Sequence, residues 1–401
     1  MEWFQKHRWL LLVLLLAVGV RVLISLDRGQ WPASSDEDHW ERIGLIYATS
    51  GVGSPEAGTY RPPLYPLLIA FVYLVAEPDT VWIRIIQIGL STATVFLIYR
   101  LGFLIAGPKE AIVSACLASL YPLWAFFSAM IMAETLLVFL VTMICFQGVR
   151  FVQSPGRWKG ASLGALLGLG ILCKPIVLAW IPAVGFVLWK ASTNGNRGFL
   201  NQVVAIFCGF LVVVVPWTIR NEIVTGHRFL ISSNLGMNLL VGHEPGAKGS
   251  YRDGRNYLEM HERLGKEGSD AIESDRLVAL EVLTWIADDP GRAALLGARK
   301  VFLFWNSVLE GGPPKAVAVH FVSGTILCLM GLWGLIRHRS EPLAWLVGSG
   351  AVAWTLVHAV FFSHPRFRLP IDLILMPFAA SQLMVSWQKV SSVVRKRMAE
   401  L

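Results

Sequence analysis

The chain has 401 residues, of which 55% are hydrophobic, with 16 tryptophans and a mean hydropathy of +0.56. Soluble domains are only ~45–50% apolar, so this composition excludes a soluble globule and points to a membrane protein. The formal charge of +8 comes with no basic stripe interleaved with aromatics, which argues against a nucleic-acid partner and assigns the surplus to cytoplasmic loops.

In chain order, a basic start (Lys6, Arg8) precedes the apolar run Leu10 to Val20, which reads as an uncleaved first helix. A span needs about 20 mostly apolar residues. Candidates lie near 9–26, 80–106, 111–129, 132–150, 160–174, 175–190, 200–217, 316–336, 343–362 and 371–388. Alternate connections carry Lys109, then Arg150, Arg157 and Lys159, then Lys190 and Arg197, then Arg337 and Arg339, then the basic tail from Lys389. By the positive-inside rule these are cytoplasmic, as are both termini. This parity requires the run 64–76 to stay outside as a juxtamembrane or re-entrant helix, and two short crossings within 160–190, split at Lys174-Pro175.

The expected fold class is therefore all-α and polytopic, with about ten transmembrane helices. Its N-terminal module is 1–217 with a first outer loop at 27–79, followed by an outer region at 218–315 and C-terminal helices with a basic tail at 316–401. The outer region opens with turn chemistry, SSNLGMNLLVGHEPGAKGSYRDGRN. It continues as two amphipathic helices, broken at Asp289-Pro290-Gly291, that are expected to lie along the membrane surface. The five cysteines (116, 145, 173, 208 and 328) all sit in apolar runs, so neither an outer disulfide nor a spaced metal site is indicated.

Asp36, Glu37 and Asp38 stand about ten residues beyond the first span, on the outer side. Ser34 with Glu37 makes a capping box, and acids suit the first turn of a helix. One cap does not need three carboxylates. The functional readings are a general base, or a divalent cation held by Asp36, Asp38 and His39. Further charges fall at the same outer level: Glu134 at the start of a span, Lys174 between two short spans, and Arg220 with Asn221 where the chain leaves the membrane. Ionisable groups at a membrane are costly and point to function. Arg366 and Arg368, in HPRFRLP, are basic residues on the outer side, where paired guanidiniums suit a phosphate.

Four stretches in order, DEDHW, RPPLYPLLIA, AETLLVFL and VPWTIRNEIVTGHRFLISSNLGMNLLVGHEPGAKGSY, with HPRFRLPIDLILMPFAA as a fifth, give the chain a resemblance. It resembles the GT-C superfamily of membrane glycosyltransferases, in the family 39 and protein-mannosyltransferase-like branch that includes aminoarabinose transferases. The resemblance implies a sugar taken from a polyprenyl-phosphate donor at the extracytoplasmic face of the plasma membrane and transferred with inversion to a glycan, lipid or protein acceptor. It implies Asp36 as base, with Asp38 as rival because the sequence carries one acid more than the pattern needs; Trp40 stands where the pattern has Tyr or Phe, which leaves the register open between them. Glu134 is its second acid, and Glu37, Arg61, Tyr65, Lys174, Arg220, Asn221, Arg366 and Arg368 are placed around the lipid phosphate or sugar. It names no cofactor, although a divalent cation fits the acids. The chain is shorter than close members of the branch, so acceptor recognition is expected from 218–315. The alternative function is a transporter or flippase of lipid-linked sugars, against which stands the gathering of charge at one outer level rather than at the midplane.

Overall fold

The computed structural model describes residues 2–30, 32–191, 197–250, 270–308 and 314–399. Among them the chain is α-helical, with one isolated parallel bridge between Ser250 and Ser363. The end of the turn-rich stretch, residues 251–256, lies outside the described residues.

The helices are α1 (Glu2–Arg28), α2 (Ser35–Ser50), α3 (Leu64–Val75), α4 (Thr80–Ala106), α5 (Pro108–Leu120), α6 (Pro122–Phe127), α7 (Glu134–Gln153), α8 (Arg157–Cys173), α9 (Trp180–Ala191) and α10 (Arg197–Thr225). Then follow α11 (Leu235–His243), α12 (Ala271–Asp288), α13 (Pro290–Trp305), α14 (Pro314–Arg337), α15 (Pro342–Val360) and α16 (Leu369–Ala399). Three short 3-10 turns, Pro55–Ala57, Pro175–Ala179 and Pro365–Arg368, interrupt the series.

Seven described helices, α1, α4, α7, α10, α14, α15 and α16, are long and apolar enough to cross a membrane. The other three expected crossings are built from shorter pieces, for a shared reason. Proline lacks the N–H that continues a helix, so Tyr121-Pro122 splits one run into α5 and α6, and Lys174-Pro175 separates α8 from a 3-10 turn and α9. The run at 64–76 forms the 12-residue helix α3, half the length of a span.

The break at Pro122 frees carbonyl groups in an apolar interior, where an unpaired backbone oxygen costs several kcal/mol. Arg21 of α1, fully buried, answers it. Its Nη2 donates to Ala118 O at 3.1 Å and its Nη1 to Ser119 O at 2.8 Å, while Nε donates to Ser91 Oγ of α4 at 2.5 Å. One guanidinium thus stitches α1, α4 and α5 together without a carboxylate partner.

Helices α8 and α10 approach closely because their contact is glycine-lined. A Cβ on Gly164 would lie 1.8 Å from Ile206 O, and one on Gly209 would lie 2.0 Å from Ala161 O. In the region after α10, α11 docks on α12 through Asp275, whose carboxylate accepts from Gly236 N and Met237 N, both at 2.9 Å. This caps the N-terminus of α11 with an opposite charge. Asp289 likewise caps α13, accepting from Arg292 N at 2.8 Å.

Gly164→Ala and Gly185→Ala form a test of this packing, since nothing lies within 4 Å of a Cβ at Gly185. Both changes favour a helix locally, by about 0.5–1 kcal/mol. Thermal unfolding in detergent is expected to fall for Gly164→Ala, because overpacking costs about 1–3 kcal/mol, and to hold or rise for Gly185→Ala.

Candidate active site

Several elements meet around a cavity of about 810 Å³. The first turn of α2 supplies Ser35, Asp36 and His39, and the segment before α3 supplies Tyr60 and Arg61. The start of α7 gives Glu134, the α8 break gives Lys174, and the 3-10 turn before α16 gives Arg366 and Phe367. Residues between Leu230 and Asn238, in the chain leading into α11 and its first turn, form a further wall.

Asp36 and His39 are three residues apart, so one face of α2 carries both. Arg61 spans the pair: its Nη2 donates to Asp36 Oδ1 at 2.6 Å and its Nε to His39 Nδ1 at 3.3 Å. Trp40 and Tyr60 hold the same guanidinium from the side, at 4.7 and 5.4 Å from the ring centroids. The second oxygen of Asp36 accepts from Arg366 Nη1 at 3.4 Å. Burial acts to raise the pKa of Asp36, but Arg61 and Arg366, with Lys174 beyond them, overcome it and hold the carboxyl below its ordinary value. His39 is pushed down to about 4, first by burial and then by Arg61 and Arg42. It is a neutral imidazole in ordinary conditions.

Glu134, at the first position of α7, is 2% exposed. Its Oε1 accepts from Lys174 Nζ at 2.7 Å and lies 3.9 Å from Arg366 Nε, while its Oε2 is buried with no partner. Arg366 therefore stands between two carboxylates. Three cations (Arg61, Lys174 and Arg366) face two acids (Asp36 and Glu134), which leaves the cavity with one surplus positive charge.

The structure brings Asp36, Glu134, Arg61, Lys174 and Arg366 together and distributes the other sequence candidates elsewhere. Asp38 is exposed and away from the cavity. Glu37 is 1% exposed and pairs with Arg28; it closes the capping box with Ser34 and accepts from Ile131 N at 3.0 Å. Tyr65, fully buried, donates to Gln87 Oε1 at 2.6 Å, and Gln87 in turn donates to Met130 O at 2.8 Å. Both residues fix the turn before Glu134 rather than touch the cavity. Arg220 donates to Val52 O at 2.7 Å and stacks on Trp217, while Asn221 donates to Ile231 O at 3.2 Å and so positions the cavity wall from behind. Arg368 is fully buried against Asp372, Phe304 O and Ser307. A 3-10 turn has three residues per turn, so Arg366 and Arg368, two apart, diverge by about 120° and reach different surroundings.

The cation suggested by Asp36, Asp38 and His39 has no assembled ligand set. Among the described residues no three carboxylate, imidazole or thiol groups come together. His39 Nδ1 already accepts from Arg61.

Sequence reasoning missed His358, which lines the cavity, stacks on Phe367 at 5.1 Å and bonds Phe362 O at 2.9 Å. It also missed Asn238 and Ser35. The adjoining HPRF motif could have flagged the His358 stack, but nothing in the sequence marks Asn238.

Residues 60–219 match the family model for dolichyl-phosphate-mannose-protein mannosyltransferase. No curated protein matches the chain in sequence. Among solved structures, the oligosaccharyltransferase of Archaeoglobus fulgidus in its apo form superposes with a TM-score of 0.60 at 15% identity, covering 100% of this chain and 53% of that one. The same archaeal enzyme, AglB, in complex with an inhibitory peptide and a dolichol-phosphate gives 0.58 at 15%, covering 99% and 52%. ArnT from Cupriavidus metallidurans bound to undecaprenyl phosphate gives 0.43 at 15%, covering 96% and 80%. The chain spans about half the length of the archaeal enzyme.

The Glu134 and Lys174 pair provides a test of the site's electrostatics. Removing one member of a buried pair costs about 3–5 kcal/mol, whereas replacing both is often neutral. Lys174→Met is expected to lower the unfolding temperature in detergent. The double variant with Glu134→Gln is expected to recover most of the loss.

Proposed function

We propose that this chain, which belongs by fold to the GT-C superfamily of membrane glycosyltransferases, transfers a sugar from a polyprenyl-phosphate donor to an acceptor hydroxyl. The observation that carries this reading is the cavity with two acids, three cations and one surplus positive charge. A sugar-phosphate diester bears one negative charge, which the surplus would neutralise. The remaining wall is apolar, with Leu137, Val138, Leu178, Trp354 and Val357, and suits the start of a prenyl chain. Multiple apolar helices make the protein multi-pass. We assign the extracytoplasmic face from the charge of the loops and the plasma membrane from the family resemblance.

In this mechanism Asp36 accepts the proton of the acceptor hydroxyl. The hydroxyl oxygen attacks the anomeric carbon from the face opposite the phosphate, and the bond from that carbon to the phosphate oxygen breaks. The electron pair leaves with the lipid phosphate, and configuration inverts. Arg61, Lys174 and Arg366 hold the developing charge, an electrostatic contribution to transition-state stabilisation. Asp36 is preferred over Glu134 as base because its side chain is 26% exposed against 3%. A carboxylate gripped by two guanidiniums is a poor base. An arriving phosphate competes for the same guanidiniums, so donor binding itself would release Asp36 for proton transfer.

The test uses purified full-length protein and a panel of radiolabelled polyprenyl-phosphate sugars. Asp36→Asn is expected to lower turnover by about 10²- to 10⁴-fold and to bind polyprenyl phosphate more tightly, because the guanidiniums lose their internal partner. Asp38→Asn is expected to keep turnover near that of the native protein. Flipping of labelled donor without transfer would instead support the carrier reading.

The pH dependence has a definite sign. Asp36 must be ionised to act, and its pKa is lowered in the folded protein. In kcat/KM, which reports the free protein, loss through this group is therefore expected only below the ordinary aspartate range, with a flat profile above it. An acid limb near neutrality that persists in Asp36→Asn would place the essential ionisation on another group and overturn the assignment.

A further inference from the structure

His39 is left unexplained by the mechanism above, although it lies one helical turn from Asp36 and its ring lines the cavity. Arg61 has no lone pair and can only donate. Its Nε–H at 3.3 Å from Nδ1 therefore fixes that nitrogen as the acceptor. In a neutral imidazole the other nitrogen then carries the hydrogen. Tyr60 stacks on the ring at 5.9 Å and holds its plane, while Arg61 is itself clasped between Trp40 and Tyr60. The ring is thus set in both orientation and tautomer, and Nε2–H is the donor that remains for a ligand.

We infer that His39 is a binding residue of the donor site, giving a hydrogen bond from Nε2 to a non-bridging phosphate oxygen held by Arg61. This rests on the reading of the cavity as a lipid-phosphate site and adds to it a directional contact that carries no charge. Burial first, and then Arg61 and Arg42, oppose protonation of the ring, and Asp36 favours it more weakly. His39 consequently neither competes with Asp36 as a base nor adds a fourth cation. The same contact excludes the imidazole as a metal ligand through Nδ1.

Two conservative variants separate donation from support of Arg61. Asparagine places its oxygen where Nδ1 stands and keeps the contact to Arg61, but has nothing at the Nε2 position. Glutamine reaches the Nε2 position with an amide N–H. The measurement is equilibrium binding of a polyprenyl phosphate of fixed length to the full chain in nanodiscs at pH 8. His39→Asn is expected to weaken binding about ten-fold, the worth of a hydrogen bond to a charged acceptor. His39→Gln is expected to restore most of it. Native affinity in His39→Asn, or equal loss in both variants, would overturn the inference while leaving the lipid-phosphate reading in place. Failure of the native protein to bind any polyprenyl phosphate would overturn that reading, and the role of His39 with it.

Discussion

Glu37 ties together the parts of the chain that make the site. One carboxylate, almost wholly buried, takes the guanidinium of Arg28 at the end of α1, closes the cap of α2 through Ser34 and accepts the backbone N–H of Ile131 in the turn before α7. A buried charge left unpaired is very costly, so these contacts are obligatory once Glu37 is inside. They set the first turn of α2 against the start of α7. Asp36, one residue earlier, can then face Arg366 and Glu134 from a fixed platform. The acid that organises the site and the acid that lines the cavity are adjacent in sequence and point in different directions.

The second constraint is the sharing of Arg366. It lies within 3.4 Å of Asp36 and 3.9 Å of Glu134, longer than the 2.6 and 2.7 Å at which Arg61 and Lys174 hold those same acids. Each carboxylate therefore has one close cation and one distant cation, the latter common to both. A change at either acid is felt by the other through a single side chain. The helix breaks serve this arrangement, because Lys174 stands where α8 stops and Arg366 lies on a 3-10 turn; an uninterrupted helix would direct them elsewhere.

Much of this was legible in the sequence, where local chemistry alone decided the outcome. The Ser34 and Glu37 cap, the short helix at 64–76, the break at Lys174-Pro175 and the turn at Asp289-Pro290 each follow from a few neighbouring residues. What was hidden depends on partners far away in the chain. Arg21 reads as an awkward charge in a span until Pro122, a hundred residues later, is seen to free the carbonyls it binds. Glu37 and Asp36 are the same kind of residue in the same motif, and only the position of Arg28 and Ile131 assigns one to the interior. Arg366 and Arg368 were indistinguishable for a similar reason: Asp372 stands near both in the sequence, while Phe304 and Ser307, which complete the capture of Arg368, lie some sixty residues earlier.

If the cavity takes a lipid phosphate, as proposed above, its single surplus positive charge has a consequence for selectivity. A bilayer offers anionic headgroups far in excess of any carrier lipid, and a cavity that attracts one negative charge attracts them all. Charge can bring a ligand to the site, but it cannot tell one phosphate from another. Discrimination must fall to uncharged groups on the walls, such as the hydroxyl of Ser35, the Tyr60 ring and the Asn238 amide, together with the apolar surface that a sugar cannot wet and a prenyl chain can. The residues that are hardest to notice in the sequence are then the ones that decide which lipid is retained.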